Sequence, residues 1–168
     1  MDAKKAIFQR RSVRRFNDLN LEDNVIEEII KAGLTAPSAC NKKPLEYYVV
    51  KNEEVQKLLR KSTLFTNYKS KLIIVVCGNI KKSLSKKDND FWTHDASASI
   101  ENMLIMATSL NVGSCWCGLY PMEGAYKKVQ KILNLDDHII PLGLIHFGYT
   151  DVEFKEKEVE IKKNVHFI

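Results

Sequence analysis

The stretch "KLIIVVCG" (residues 71–78) contains six consecutive apolar residues and decides the fold that the sequence predicts. A strand with one face in water alternates apolar and polar residues, whereas an unbroken apolar run is typical of a strand buried on both faces. Such a strand lies inside a sheet that other elements cover. The stretch therefore predicts a buried strand in a central sheet.

The segments on either side of this strand alternate between helical and strand patterns. Residues 35–44 have the composition of a loop, and the charged tail from 150 to 168 has no clear periodicity. The alternation indicates an α/β or α+β sandwich with a central sheet, in one domain over 1–168. Further strands are predicted at 45–50, 114–120 and 138–149, and helices after Asp2, at 20–34 with Asn20 as the cap, at 53–61, at 95–111, and at 121–133 with Pro121 in the opening position.

Composition excludes several classes of protein. The 168 residues are 45% apolar and 28% charged, and because no run of about 18 apolar residues occurs, we expect no membrane-spanning segment. The first residues lack the apolar core of a signal peptide. Four cysteines in a chain of this length fit reduced thiols, which favours a cytoplasmic location. No histidine or cysteine spacing matches a metal site, so we expect none and interpret Cys115 and Cys117 as buried free thiols.

Four arginines fall within six positions of the segment "FQRRSVRRF" (8–16), and the residues alone leave three interpretations open. The cluster could be the solvated end of a helix. It could bind nucleic acid, although no wide basic face accompanies it. It could also hold one phosphate, because an extended segment points Arg10, Ser12 and Arg14 to the same side and guanidinium groups bind phosphate oxygens in pairs.

The glycine pattern limits how a phosphate could be bound. The chain has only seven glycines, and neither the dinucleotide-binding fingerprint nor the P-loop pattern occurs. Side chains must therefore hold any phosphate. The stretch "PMEG" (121–124) opens a predicted helix whose free N–H groups could donate to an anion or to a ring nitrogen, although an ordinary helix start would have the same pattern.

Five stretches resemble, in their order and spacing, the short FMN-dependent nitroreductases, a family that includes enzymes called NADH oxidases. The resemblance covers nearly the whole chain. It implies an α+β, three-layer sandwich in which helices flank a central mixed, mainly antiparallel sheet. It also implies an intimate homodimer with one FMN per subunit at the interface. The stretches are "RRSVRRF", "APSACNKKP", "FWTHDASASIENMLIMA", "VGSCWCGLYP" and "IIPLGLIHFGY".

The resemblance also implies a cofactor site, residue by residue. The arginine segment holds the FMN phosphate and ribityl chain, the loop over 37–43 reaches the flavin, often from the partner subunit, and the turn over 121–124 lies against the ring with a backbone N–H near N5. A basic residue of the tail joins the phosphate site, and Arg15 is left as the solvated arginine. The implied residues are Arg10, Arg11, Ser12 and Arg14; Pro37, Ser38, Ala39, Asn41 and Lys43; Pro121, Met122, Glu123 and Gly124; and Lys157 or, as a second match, Lys155.

The implied activity is a ping-pong cycle. NADH or NADPH reduces FMN, and a nitroaromatic, quinone or similar conjugated acceptor then takes the electrons, with no side chain acting as catalytic acid or base. The chain departs from the family pattern at Lys43 and Leu45, where glutamine and tryptophan are usual, and at Val159, where a tail arginine is expected. A non-catalytic flavin-binding redox sensor or FMN carrier remains the alternative. Neither nucleic acid nor a membrane is expected as a partner.

Overall fold

The sheet at the centre of the molecule has four strands in the order β1-β2-β4-β3, and the pairings between neighbours are antiparallel. These elements come from a computed structural model that describes residues 1–84, 90–161 and 164–168. The strands are β1 (Leu45–Val50), β2 (Leu72–Asn79), β3 (Gly113–Gly118) and β4 (Ile139–Gly148), and the helices are α1 (Ala3–Gln9), α2 (Asp23–Leu34), α3 (Glu53–Arg60), α4 (Phe91–Ser109) and α5 (Glu123–Leu133), with one 3-10 turn over Ala39–Asn41.

Strand β2 confirms the prediction made from its apolar run, because every one of its residues is buried. Its alternate side chains enter two different cores. Leu72, Ile74 and Val76 pack with residues of α2 and α4, whereas Ile73, Val75 and Cys77 pack with residues of α3 and α5. The fold is therefore α+β, with helices on both faces of the sheet. The resemblance implies a mixed sheet, but the pairings between its strands are antiparallel. Among the described residues, the parallel pairing is one isolated bridge between Ser12 and Ser114.

Three helix starts differ from the sequence prediction. Helix α2 begins at Asp23 and is preceded by Glu22, so Asn20 is not its cap. The segment before it bends at Asp18 and is tied to the tail, where the Asn17 N–H donates to the Tyr149 carbonyl oxygen at 2.9 Å. A local capping pattern cannot reveal such a long-range bond.

Helix α4 begins at Phe91, four residues before the predicted start at 95. The Asp90 carbonyl oxygen accepts from the Thr93 N–H at 2.9 Å and from the Thr93 hydroxyl at 2.7 Å, which closes the first turn. Helix α5 begins at Glu123, and Pro121 lies before it rather than in its first turn. A bond of 2.9 Å from the Met122 N–H to the Leu119 carbonyl oxygen bends the chain ahead of the helix.

Among the described helices, none is long and apolar enough to cross a bilayer.

The tail lies antiparallel to the N-terminal segment. Hydrogen bonds join the two segments, and residues later in the N-terminal segment pair with residues earlier in the tail. Because the N-terminal segment also pairs with β3, it lies between β3 and the tail. The bonds run from Lys157 N to Phe8 O at 3.1 Å, from Arg11 Nη1 to Glu153 O at 3.1 Å, from Thr150 Oγ1 to Arg15 O at 2.8 Å, and from Asn17 N to Tyr149 O at 2.9 Å.

His146 is a fully buried titratable residue of β4. Its Nε2 lies 3.0 Å from the Thr66 carbonyl oxygen, and its Nδ1 lies 2.7 Å from the Ser70 hydroxyl. A carbonyl oxygen can only accept, so the neutral ring carries its proton on Nε2 and accepts from Ser70 at Nδ1. Burial lowers the pKa of His146 from 6.5 to about 4; the bond to Thr66 opposes this shift and the charge of Arg60 adds to it.

We predict that acidification destabilises the protein through His146. The unfolded imidazole takes up a proton near pH 6.5 while the folded one stays neutral down to about pH 4, so the free energy of unfolding should fall by about 2 kcal/mol between roughly pH 7.5 and pH 5. Urea unfolding at several pH values measures this. His146→Gln, which keeps a donor for Thr66, should remove most of the loss between these values. An equal loss in the variant would assign the acid sensitivity to other groups.

Candidate functional site

The arginine segment is held extended along the edge strand β3. The Val13 N–H donates to the Ser114 carbonyl oxygen at 2.8 Å, and Ser12 forms the parallel bridge with Ser114. Val13 is 1% exposed and anchors the segment in the interior. Because successive side chains of an extended chain point in opposite directions, the residues on either side of Val13 project away from the core.

Arg10, Arg11 and Lys157 form a cationic cluster where this segment meets α4 and the tail. Arg10 Nε lies 2.9 Å from Glu101 Oε1, and Arg11 reaches the Glu153 carbonyl oxygen. Partial desolvation and then the charges of Arg10 and Arg11 lower the pKa of Lys157, while Glu101 opposes them. In the part of the chain that the structure describes, Arg10 is the one of these three cations that forms an ion pair, so the cluster keeps positive charge that an anion would stabilise.

Lys155 is placed beside Arg11 rather than beside Arg10. Its Nζ is 3.0 Å from Glu153 Oε2, and it lines a cleft of about 540 Å³ together with Arg11 and Arg15. Of the two tail lysines expected at the phosphate, the structure therefore brings Lys157, and not Lys155, close to Arg10. Arg15 is exposed, as the sequence predicts.

Arg14 contacts different neighbours from Arg10. Its guanidinium carbon is 6.0 Å from the centre of the Tyr68 ring, and a hydrogen bond with Tyr68 raises the pKa of Arg14, followed by the charge of Cys115. Arg10 and Arg14 therefore do not converge on one common point. Tyr68 was not identified from the sequence, because an aromatic residue in a polar loop carries no local signal of this contact.

Cys115 and Cys117 are free thiols on one face of β3, which confirms the prediction, and both are buried. Cys117 Sγ lies 3.1 Å from the Phe65 carbonyl oxygen. Hydrogen bonding from Cys117, and more weakly the charge of Arg14, lower the pKa of Cys115 to about 7 against the opposing effect of burial, and the same hydrogen bond raises that of Cys117. Among the described residues, no group of three side chains is placed to hold a metal ion.

The loop over 37–43 packs against the start of α4. Its Ala39 N–H donates to Asp95 Oδ1 at 2.8 Å, and the Ser38 hydroxyl accepts from the Lys43 N–H at 2.9 Å. Asn41 and Lys43 both have positive φ angles, of 53° and 48°. Asn tolerates this conformation but Lys rarely adopts it, so the backbone geometry of the loop is specified by its bonds rather than by residue preference.

One chain does not bring this loop to the cationic cluster. The loop contacts Asp95 of α4, and Arg10 contacts Glu101 of the same helix. Six residues of helix separate these positions by about 9 Å along the axis and about 120° around it. The sequence does not reveal the contact of Glu101 with Arg10, because the two residues are far apart along the chain.

The turn over 121–124 presents unoccupied backbone donors at the start of α5. Within the described part of the chain, the N–H groups of Glu123 and Gly124 have no hydrogen-bond partner, as expected for a first helical turn. A Cβ atom placed on Gly124 would meet nothing within 4 Å. Met122 is 46% exposed, and the Glu123 side chain pairs with Lys127 and not with the site. The turn therefore offers an open surface with donors.

Strand β3 connects this turn to the arginine segment. Ser114, which holds Ser12 and Val13, lies four residues before Gly118, a distance of about 13 Å in an extended strand. Arg14 lies near Cys115, between these two points. The arrangement is an edge of the sheet with a cationic cluster at one end and open backbone donors beyond the other.

Comparisons with known proteins agree with this architecture. A family model described as the nitroreductase family matches residues 7–71 and 64–149. A protein of Archaeoglobus fulgidus, provisionally named an NADH dehydrogenase/NAD(P)H nitroreductase, is 37% identical over 151 residues, which cover 89% of this chain and 86% of the relative.

Solved structures are similar over almost the whole chain. A crystal structure of a Parabacteroides distasonis protein with the same provisional name superposes with a TM-score of 0.90 at 30% identity, covering 98% of this chain and 96% of the other. A protein of Clostridium difficile described as an FMN-dependent nitroreductase has a TM-score of 0.87 at 27% identity, with 98% of each chain covered.

We predict that Cys115 titrates near neutral pH and that Cys117 is the main reason. In a Cys40→Ser background, which removes the exposed thiol, the thiolate absorbance in the ultraviolet should show a transition near 7 between about pH 5 and pH 9. Cys117→Ala should move this transition upward more than Arg14→Gln does, because the hydrogen bond contributes more than the charge. Cys77→Ser is the control, because the pKa of that buried thiol is raised. A transition that no substitution moves would contradict the assignment.

Proposed function

The chain belongs to the nitroreductase family, and from that membership we propose that it is an FMN-dependent oxidoreductase that uses NADH or NADPH. The name of the Clostridium difficile relative supports FMN as the cofactor. The observation that carries the proposal is the cluster of Arg10, Arg11 and Lys157, which has the charge and the donors that one phosphate monoester needs.

The residues present fit FMN along the edge of β3. Arg10, Arg11 and Lys157 would hold the phosphate, with Ser12 as a hydroxyl donor on the same segment. Arg14 would lie further along the strand, beside Tyr68. The backbone donors of Glu123 and Gly124 would meet the ring, and the open space beside Gly124 leaves room for it.

FMN, when bound, supplies the two-electron chemistry, taking hydride from a nicotinamide and passing electrons to a conjugated acceptor such as a quinone or nitroaromatic. The protein's part is to bind and orient these partners. Helix N-terminal N–H groups favour a ring nitrogen that gains electron density, so the turn over 121–124 stabilises the reduced cofactor more than the oxidised one. A single site that serves donor and acceptor in turn gives ping-pong kinetics.

The directions of the arginine side chains argue against nucleic-acid binding. Arg10 turns to Glu101 of α4, Arg11 to the tail and Arg14 to Tyr68, so they do not form one continuous basic face.

We also propose a cytoplasmic location, since all four cysteines are free thiols.

We further propose that the functional unit is a homodimer in which the loop over 37–43 completes the site of the partner subunit. The separation of Ala39 from Arg10 around α4 supports this arrangement. Pro37, Ser38, Asn41 and Lys43 would then reach a flavin whose phosphate is held by the other chain. Exposed apolar side chains at the two ends of the chain, Ile7 at 52% and Phe167 at 90%, support association.

We predict that Arg10→Ala or Lys157→Ala weakens FMN binding by about 1.5–3 kcal/mol, because each removes a charge-assisted hydrogen bond to phosphate. Fluorescence titration of apo-protein with FMN and with riboflavin measures this. Riboflavin lacks the phosphate, so its affinity should stay unchanged. Arg15→Ala removes the same charge at an exposed position and serves as the control. Equal losses for FMN and riboflavin would show that the cluster does not hold phosphate.

We predict that two variants that lose activity at limiting FMN complement each other when their chains are mixed. Arg10→Ala damages the phosphate cluster, and Asn41→Asp damages the loop while keeping a residue type that tolerates positive φ. If the loop acts in the partner's site, one of the two sites in a mixed dimer is intact, so co-refolding should restore about a quarter of the wild-type sites. If the loop serves its own chain, the mixture stays inactive, and the two-chain site is wrong.

A further inference from the structure

A second cationic cleft lies between α3, the segment that precedes α2 and the start of β2. It has a volume of about 460 Å³ and shares no residue with the cationic cluster or with the edge of β3. Five cations face two carboxylates across it. The cations are Lys51, Lys57, Arg60, Lys69 and Lys71, and the carboxylates are those of Asp18 and Glu53.

A buried glutamine fixes the guanidinium of Arg60 in this cleft. Gln56 is 2% exposed, and its Nε2 donates to the Val50 carbonyl oxygen at 2.9 Å and to that of Lys71 at 3.1 Å. These bonds leave Gln56 Oε1 to accept from Arg60 Nη2 at 2.8 Å, and the same Nη2 lies 3.3 Å from the Ser70 carbonyl oxygen. Arg60 is therefore positioned by neutral groups, which leaves its charge uncompensated.

Two of the five cations lack a carboxylate partner among the residues that the structure describes. Arg60 is bonded only to neutral oxygens, and its buried Nε has no hydrogen-bond partner within the same residues. Lys69 forms no ion pair there. In contrast, Lys71 pairs with Asp18 and Lys57 with Glu53 and Glu54, all of them exposed carboxylates that a stronger anion could displace.

We propose that this cleft binds a phosphate or pyrophosphate group of a small molecule. The buried partner fixes the guanidinium plane of Arg60, whose Nη1 group keeps its two N–H donors for phosphate oxygens, and nearby lysines add charge that is not geometrically restricted. The volume is that of a site for a ligand of nucleotide size. An ordinary solvated charged face does not require a buried glutamine that orients one of its arginines.

The test is calorimetric titration of inorganic pyrophosphate into the protein saturated with FMN, at fixed ionic strength. Saturation keeps the phosphate cluster at Arg10 occupied, and repeating the titration with Arg10→Ala separates the two sites. Lys69→Gln and Arg60→Gln should each weaken pyrophosphate binding at least tenfold. Lys4→Gln, an exposed lysine of α1, removes the same charge and should leave the affinity unchanged.

Binding of pyrophosphate that Lys69→Gln leaves unchanged would overturn the proposal, even if Arg60→Gln cannot be folded. An equal loss in Lys4→Gln would also overturn it, because the binding would then depend on overall charge alone. Absence of pyrophosphate binding to the wild-type protein would overturn the proposal as well. FMN binding is measured separately, so failure of this site is distinguishable from failure of the proposed function.

Discussion

The hydrogen bond between the Val13 N–H and the Ser114 carbonyl oxygen fixes where the arginines of this protein lie. Burial of the valine side chain contributes about 1.5–3 kcal/mol, and the backbone bond about 1 kcal/mol, so the segment is held against the repulsion of its own charges. The tail closes the other side, with the Lys157 N–H bonded to the Phe8 carbonyl oxygen. Without this extended segment, Arg10, Ser12 and Arg14 would not follow the edge of β3.

Electrostatics is the reason for proposing a ligand at this edge. Arg10, Arg11 and Lys157 lie close enough that the two arginines lower the pKa of the lysine, and Glu101 is the carboxylate that offsets them. Such a group of cations costs the free protein stability, and an anion that neutralises them returns it. The same logic applies to Arg60, whose partners Gln56 and Ser70 are neutral. Phosphate binding is thus supported by incompletely compensated positive charge at two separate places.

The sequence predicts the parts of this structure that depend on local pattern. The apolar run of β2 indicates burial on both faces, and the stripe of α4 indicates a long packed helix, because burial leaves a periodic signature in the chain. The start of α2 was mispredicted at Asn20, since a bond from Asn17 to Tyr149, distant in sequence, sets it. Tyr68 beside Arg14 and Glu101 beside Arg10 were missed for the same reason. The sequence does not predict that the 37–43 loop and Arg10 are separated, because this follows from the different positions at which they contact α4.

The central claim is that this edge of the sheet holds a flavin that nicotinamide nucleotides reduce. Anaerobic titration of the purified, FMN-loaded protein with NADH and with NADPH tests it most directly, followed by addition of a quinone. The account predicts that the yellow absorbance is lost after one equivalent of donor per chain and returns when the quinone is added. Protein that binds no FMN, or whose flavin stays oxidised with both donors, would contradict it.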